Sequence, residues 1–483
     1  MNPITRFGPF LAAFSITAGA AVPPPAAKPA RPNFIVILAD DISPEHFSTY
    51  GATTVRTPAI DALAREGVRF NQAWATPMCA PSRALLLTGR YAHRTGVYHN
   101  SLQVDRHFSG SSLSFARVLR DAGYATAIAG TSKELGADYR QTGLTGFNEY
   151  CVHNGAGNLL AGGKWTGAWE IAPGQDMRVR PNGFTSRYWH PCLVQDGRDR
   201  PTTPDEFGED IFAAYLVDFM KRHRSEPFCA YFAMNLPHGT ASSGGQLPTT
   251  PAQGRPGRNS GGTMDDCTAY IDTLVGRLVA TLDELGLREN TVIVFAGDNA
   301  DAGNGKTCAT EHGAHAPLVI AGPPALVKSR GATDALASFA DIFATLVELS
   351  GAPLPAGYEV DGRSLAGFLR GETDTHRDWL YSYIGTARMV RDARWVLEAV
   401  DPVGGKPEGR FYDYGSTPRV LVDPQTAGAE AAAAHRKLQS VLAGIPYFDR
   451  QNAAQAAALK RYSEAPFPHK LEDRPEGAGE QQP

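Results

Sequence analysis

The chain has 483 residues, a formal net charge of -4, 42% hydrophobic residues and 20% charged residues. That length allows a large core and a second, smaller one. The near-neutral balance excludes a general attraction to nucleic acid or to an anionic membrane, so any anion binding has to come from a local basic cluster.

The first element in the chain reads as an export signal. Arg6 gives a positive start, Phe10 to Val22 is mostly apolar, and Ala18-Gly19-Ala20 offers a small-x-small cleavage site. The apolar run is too short to span a bilayer, and no later segment supplies about 18 uncharged apolar residues. Residues 1–20 are therefore expected to be a signal peptide of an exported protein, periplasmic or secreted, and the Pro/Ala-rich residues 21–32 a linker.

A large first domain is expected over residues 33–374. It opens with NFIVILA (33–39), a buried-strand pattern that ends in Asp40-Asp41. The stretch CAPSRALLLTGR (79–90) starts a helix, with Pro81 in its first turn and Cys79 at or before its N-terminus. There the free N–H groups and the helix dipole favour an anion. SLSFARVLRDAG (112–123) reads as a helix with a serine cap and a terminal glycine. Helical spacing recurs over 207–224 and 264–286, and one more helix is expected over 333–351. Between them lie strand-like runs at 124–130, 227–236, 291–297 and 316–322. The alternation predicts an α/β fold, a large mostly parallel sheet sandwiched by helices. Residues 150–206 and 239–263 are rich in Gly and Pro and fit neither pattern.

From residue 375 the texture changes. WLYSYIG, ARMVRD, RWVLEAV and GRFYDY are short runs with turns between them, followed by a helix-forming stretch at 427–444. They predict a small C-terminal antiparallel sheet plus helix over 375–465. Residues 466–483 are expected to be a disordered tail. The six cysteines (79, 151, 192, 229, 267, 308) show no metal-type spacing; with Cys79 set aside for chemistry, at most two disulfides remain possible.

Two strand ends carry oxygen ligands: Asp40-Asp41 after the first strand, and Asp298-Asn299 after TVIVFAG. In open α/β sheets, ligands bind beyond the carboxyl ends of the strands. Three carboxylates brought together there repel one another unless a cation neutralises them. All-oxygen ligation selects a hard divalent ion, Ca²⁺ or Mg²⁺.

The Cys-x-Pro-Ser-Arg string at Cys79–Arg83 closely resembles the signature of type I sulfatases, of the alkaline phosphatase superfamily. The resemblance extends over roughly residues 32–415 and includes the Asp-Asp and Asp-Asn pairs, LPH at 236–238, and closing segments such as ADIFATLVELSG and DGRSLAGFLRG. It implies that Cys79 is oxidised by a formylglycine-generating maturation enzyme. The hydrated aldehyde would then be the nucleophile that cleaves a sulfate ester, in a sulfated small molecule or glycan. It implies one divalent cation, Ca²⁺ before Mg²⁺, held by Asp40, Asp41, Cys79, Asp298 and Asn299. Arg83 would support residue 79, His238 protonate the leaving group, and Lys306 grip sulfate. Lys133 is matched only across a gap: the family's GKWHLG reads GTSKELGA here, and the histidine has no counterpart. His99, His190, His312 and His315 are candidate substitutes. Ile42 and Ala300 stand where the family often has glycine. A phosphodiesterase or phosphonate hydrolase would use much the same cluster, and a catalytically weak sulfoglycan-binding protein is a third reading.

Overall fold

The computed structural model describes residues 31–100, 102, 112–131, 145–153, 159–160, 164–165, 187–189, 191–203, 205–239, 247–252, 259–328, 331–415, 418–448, 451, 453–463 and 469–472. Lys133 and His190 lie outside the described residues, as does the expected signal peptide. In chain order the first twelve strands are β1 (Asn33–Asp40), β2 (Val68–Trp74), β3 (Ala125–Gly130), β4 (Glu149–His153), β5 (Leu159–Leu160), β6 (Lys164–Trp165), β7 (Leu193–Gln195), β8 (Arg198–Arg200), β9 (Phe228–Pro237), β10 (Thr291–Gly297), β11 (Leu318–Ala321) and β12 (Gly331–Ser338). Ten of them form one sheet in the order β12-β2-β11-β10-β1-β9-β3-β4-β7-β8, and β5 pairs with β6 apart from it.

The centre of this sheet is parallel. β1 lies between β10 and β9, and β3 and β4 extend the same direction. Burial on both faces explains why β1 is apolar without alternation. Phe34, Val36 and Leu38 enter one apolar cluster with Leu85 and Phe343, from the helices Cys79–Thr88 and Phe339–Ser350. Ile35, Ile37 and Ala39 enter the opposite one with Phe212 and Leu274, from Gly208–Arg222 and Met264–Glu284.

Two expectations are corrected. β11, read as one more parallel strand, runs antiparallel to both β10 and β2. The chain between β10 and β11 stays at one end of the sheet, with only the four-residue helix Glu311–Ala314, so the strand re-enters from that end. The helix expected over 333–351 begins only at Phe339; residues 331–338 are β12, parallel to β2. The boundary is set by a capping box, in which Ser338 and Asp341 each accept from the other's end of the first turn. β2 itself was not anticipated.

The C-terminal part is an antiparallel sheet of β13 (Leu380–Ile384), β14 (Ala387–Arg391), β15 (Trp395–Val400), β16 (Arg410–Asp413) and β17 (Val420–Leu421). The helix Ala429–Gly444 packs Leu438 and Leu442 into an apolar cluster shared with Val390, Leu397 and the main sheet. This small sheet braces loops of the large one. Ser382 Oγ donates to Ala75 O (2.7 Å), Gly385 N to Tyr98 O (2.8 Å) and Ala399 N to Ala309 O (2.9 Å). Part of the expected tail is ordered: Lys470 N donates to Thr307 O and Lys470 O accepts from Ala309 N, each at 2.8 Å. All six cysteines are buried thiols, so the two possible disulfides are not formed.

Candidate active site

The site grows from two adjacent strand ends. Asp298 N donates to Ala39 O (2.9 Å), and Ile42 N to Asn299 O (3.0 Å), which laces the chain after β1 to the chain after β10. The approach is close: a Cβ on Gly297 would stand 2.7 Å from Ile42 O, so only glycine fits there. Asp41 takes a left-handed backbone (φ 67°), and its N–H donates to Asp298 Oδ1 at 3.0 Å. Ile42 and Ala300 have no left-handed backbone, so the absence of glycine there strains nothing.

Cys79 is the first residue of its helix, after Met78 in extended conformation. The preceding turn is fixed by Ser82, whose Oγ accepts from Thr76 N and donates to Thr76 O, both at 2.9 Å. Arg83 follows one turn later and is fully buried. Its Nε donates to Asp298 Oδ2 (2.9 Å), and its Nη2 lies 3.2 Å from Asp40 Oδ2. Asp40, Cys79 and Asp298 each offer a ligand atom within 4.8 Å of the others, and Asp40, Asp41 and His238 do the same.

The electrostatics of this cluster are unbalanced. Asp298 is pushed well above the usual carboxylate range by burial and then by the charge of Asp40. Asp41 is also raised, by burial first, although Lys306 opposes the shift. Lys306 Nζ pairs with Asp41. Burial works against its charge, but Asp41, with Cys79 and Asp40, raises it above the ordinary lysine value. Asn299 Nδ2 donates to Asp41 Oδ1 and to Ala300 O, both at 2.8 Å. Its Oδ1 is buried with no hydrogen-bond partner among the described residues. An acceptor left over beside three crowded carboxylates fits a hard cation.

His238 stands just past β9, with Nε2 at 3.6 Å from Asp41 Oδ2 and Nδ1 at 2.6 Å from Gly239 O. Arg187 Nη1 approaches the same Nδ1 at 3.1 Å. Lys306 is carried by a tight loop: its N–H donates to Asp301 O (3.2 Å), and the next residue, Thr307 (φ 69°), donates to Pro77 O (2.8 Å), two residues before Cys79.

Asp40, Asp41, Cys79, Arg83, His238, Asp298, Asn299 and Lys306 thus come together in the fold. Of the substitute histidines, the three among the described residues, His99, His312 and His315, do not join them. His315 is half-buried and donates from Nε2 to Asn71 O (2.9 Å). His312 is exposed. His99 is buried against the Tyr462 ring (5.0 Å between centroids), and burial, with nearby His469, lowers it to about 3. Two contacts were not anticipated. Asn100 lies against Cys79, in a polar turn that no motif marks. Lys470 backs the Lys306 loop from a Pro/Gly-rich polar stretch.

Residues 32–352 match the family model described as Sulfatase. The chain is 29% identical to mouse (Mus musculus) steryl-sulfatase over 461 residues, covering 78% of this chain and 71% of that protein. It is 28% identical to an N-acetylgalactosamine-6-O-sulfatase of Bacteroides thetaiotaomicron, covering 72% and 78%. A solved 6S-sulfatase from work on glycosaminoglycan metabolism in the same bacterium superposes with a TM-score of 0.63 at 24% identity, covering 86% of this chain and 98% of that one.

Proposed function

The chain belongs to the sulfatase family, and we propose that it hydrolyses the sulfate ester of a sulfated carbohydrate, with residue 79 as the nucleophile after oxidation to formylglycine. The observation that carries this reading is the meeting of Cys79 with Asp40, Asp298 and the buried Arg83 at the start of a helix. The hydrated aldehyde supplies two hydroxyls on one carbon, one to attack sulfur and one to expel sulfate as the carbonyl returns, which neither a thiol nor a serine can do.

The side chains divide the remaining work. Asp40, Asp41, Asp298 and Asn299, with residue 79, would hold one divalent cation, Ca²⁺ before Mg²⁺. Such an ion would supply Lewis-acid polarisation of the sulfate oxygens. Arg83 fixes Asp298 and Asp40, and so fixes the face on which the nucleophile sits. Lys306, kept charged by Asp41, offsets negative charge on the sulfate. His238 gives its proton to the departing alkoxide. Lys133 is retained as a second sulfate contact. The relatives include sulfatases of a sterol and of a sugar. The sugar is preferred because residues 1–20 read as an export signal and the Gly/Pro-rich segments 150–206 and 239–263 are long enough to contribute a broad subsite. In this reading the protein works in the periplasm or outside the cell. No helix among the described residues is long and apolar enough to cross a membrane.

The test begins with mass spectrometry of the Cys79 peptide from a host that carries the maturation enzyme. A loss of about 18 Da, the difference between thiol and aldehyde, should accompany sulfate release from sulfated sugars, and both should vanish in Cys79→Ala. Protein with the aldehyde and added Ca²⁺ that cleaves a phosphonate ester faster than any sulfate ester would overturn the assignment.

A further inference from the structure

We infer that Asn100 is a further catalytic residue, whose amide holds the reacting oxygen on residue 79; this rests on the sulfatase reading above. Asn100 Nδ2 lies 3.3 Å from Cys79 Sγ, and Asn100 Oδ1 accepts from Ala80 N at 3.1 Å. The second contact fixes the first. A backbone N–H can only donate, so the carboxamide oxygen must face Ala80, and the nitrogen is turned to residue 79. Sγ is also nearer to Nδ2 than to Oδ1, which stands at 3.7 Å.

The support is rigid. Asn100 sits in a turn in which Tyr98 N and His99 N both donate to Leu102 O (3.0 and 3.2 Å) and Leu102 N returns to His99 O (3.1 Å). From behind, Gly385 N of the small sheet donates to Tyr98 O, and the His99 ring packs on Tyr462. A donor aimed by a fixed turn needs little reorganisation when charge appears in front of it.

The chemistry of a carboxamide limits what it can do. It is neutral throughout the working pH range and neither takes nor gives a proton, so Asn100 is not the missing histidine in another form. It donates a hydrogen bond to an oxygen on the Cβ carbon of residue 79. That bond sets the rotamer of the side chain and offsets negative charge as the oxygen loses its proton. It also favours the hydrated form, whose two hydroxyl oxygens let one face Nδ2 while the other is free to react, where the aldehyde has a single oxygen.

The experiment compares wild type, Asn100→Ala and Asn100→Asp, each with the aldehyde verified by mass. Asn100→Asp keeps an acceptor for Ala80 N but has no donor for residue 79, which separates the two roles. In both variants kcat should fall about 10²-fold, the usual loss for one such donor, with KM changed less than about threefold. The second readout needs no turnover. Methoxyamine condenses with the free aldehyde, losing water, so the rate of oxime formation at residue 79 reports the dehydrated fraction, and both variants should label several-fold faster. If Asn100→Asp keeps kcat and labelling rate within about threefold of wild type, the inference is wrong. If wild type with verified aldehyde releases no sulfate, it is the sulfatase reading that fails, and the labelling comparison still judges Asn100.

Discussion

Asp298 and Asp341 are both fully buried aspartates, and their environments drive them in opposite directions. Asp341, in the first turn of Phe339–Ser350, receives Ser338 N and Arg363 N (2.8 Å each), the Arg377 guanidinium (Nε to Oδ2, 2.7 Å) and His376 Nε2 (3.0 Å). Burial resists its ionisation, but Arg377 and then His376 hold it down at about 2. At the other site the three carboxylates Asp40, Asp41 and Asp298 crowd together around Arg83, Lys306 and His238, and Asp298 rises well above its ordinary value. A buried carboxylate that serves the fold is closed by its own partners. The strand-end cluster is left short of positive charge, a shortage that a divalent cation would answer.

Charge removal should therefore act oppositely at the two places. Asp298→Asn is expected to lower kcat by at least about 10³-fold, about 4 kcal/mol, while the urea midpoint of metal-free protein holds or rises, because repulsion is relieved and Arg83 keeps Asp40. Asp341→Asn should cost about 3 kcal/mol or more, since it leaves Arg377 buried without its counter-charge, with kcat per folded molecule unchanged. Urea unfolding and active-site-normalised rates measure both. A large stability loss in metal-free Asp298→Asn would erase the contrast.

Cation binding sharpens the same contrast. Ca²⁺ at one hundred times its Kd should stabilise wild type by about 2.7 kcal/mol, by mass action on the folded state. Asp341→Asn should keep that increment and Asp298→Asn should lose most of it, read as the shift in unfolding midpoint with and without chelator.

The unbalanced site was more legible in the sequence than the balanced one. Asp40-Asp41 and Asp298-Asn299 follow strands whose unbroken apolar runs mark burial on both faces, so the crevice they share could be placed before any coordinates. The Asp341–Arg377 pair spans 36 residues and has no pattern around it. β2 (VRFNQAW) mixes polar and apolar residues and gives no clean period. The sense of β11 depends on where a loop runs, which its own residues do not encode. Asn100 and Lys470 act through tertiary hydrogen bonds, and neither has a local signal. The expected helix over 333–351 starts six residues later, at Phe339, because alanines at 332, 335 and 337 fit helical spacing as well as a strand; pairing with β2 decided it.

Acid titration is the next smaller effect. Arg377 and His376 hold Asp341 down to about 2 against an ordinary 3.8, so its ionised form contributes on the order of 2 kcal/mol at neutral pH, by linkage. The sign follows from the direction of the shift: the contribution is complete above about pH 4 and is lost as pH falls toward 2. Unfolding free energy measured across that window should drop steeply in wild type and much less in Asp341→Asn.

The smallest expected effect separates the charged part of this shell from the neutral part. Ser338 caps the helix through its Oγ, which accepts from Ala340 N, while its own N–H donates to Asp341 Oδ2. Ser338→Ala removes the hydroxyl and leaves the backbone donor, so it should cost about 1 kcal/mol. The acid slope should survive, because Arg377 and His376, not the hydroxyl, set the titration of Asp341. Equal slopes in wild type and Ser338→Ala, with midpoints displaced by a constant amount, would show that countercharge keeps a buried carboxylate ionised. Countercharge is also what the strand-end cluster lacks.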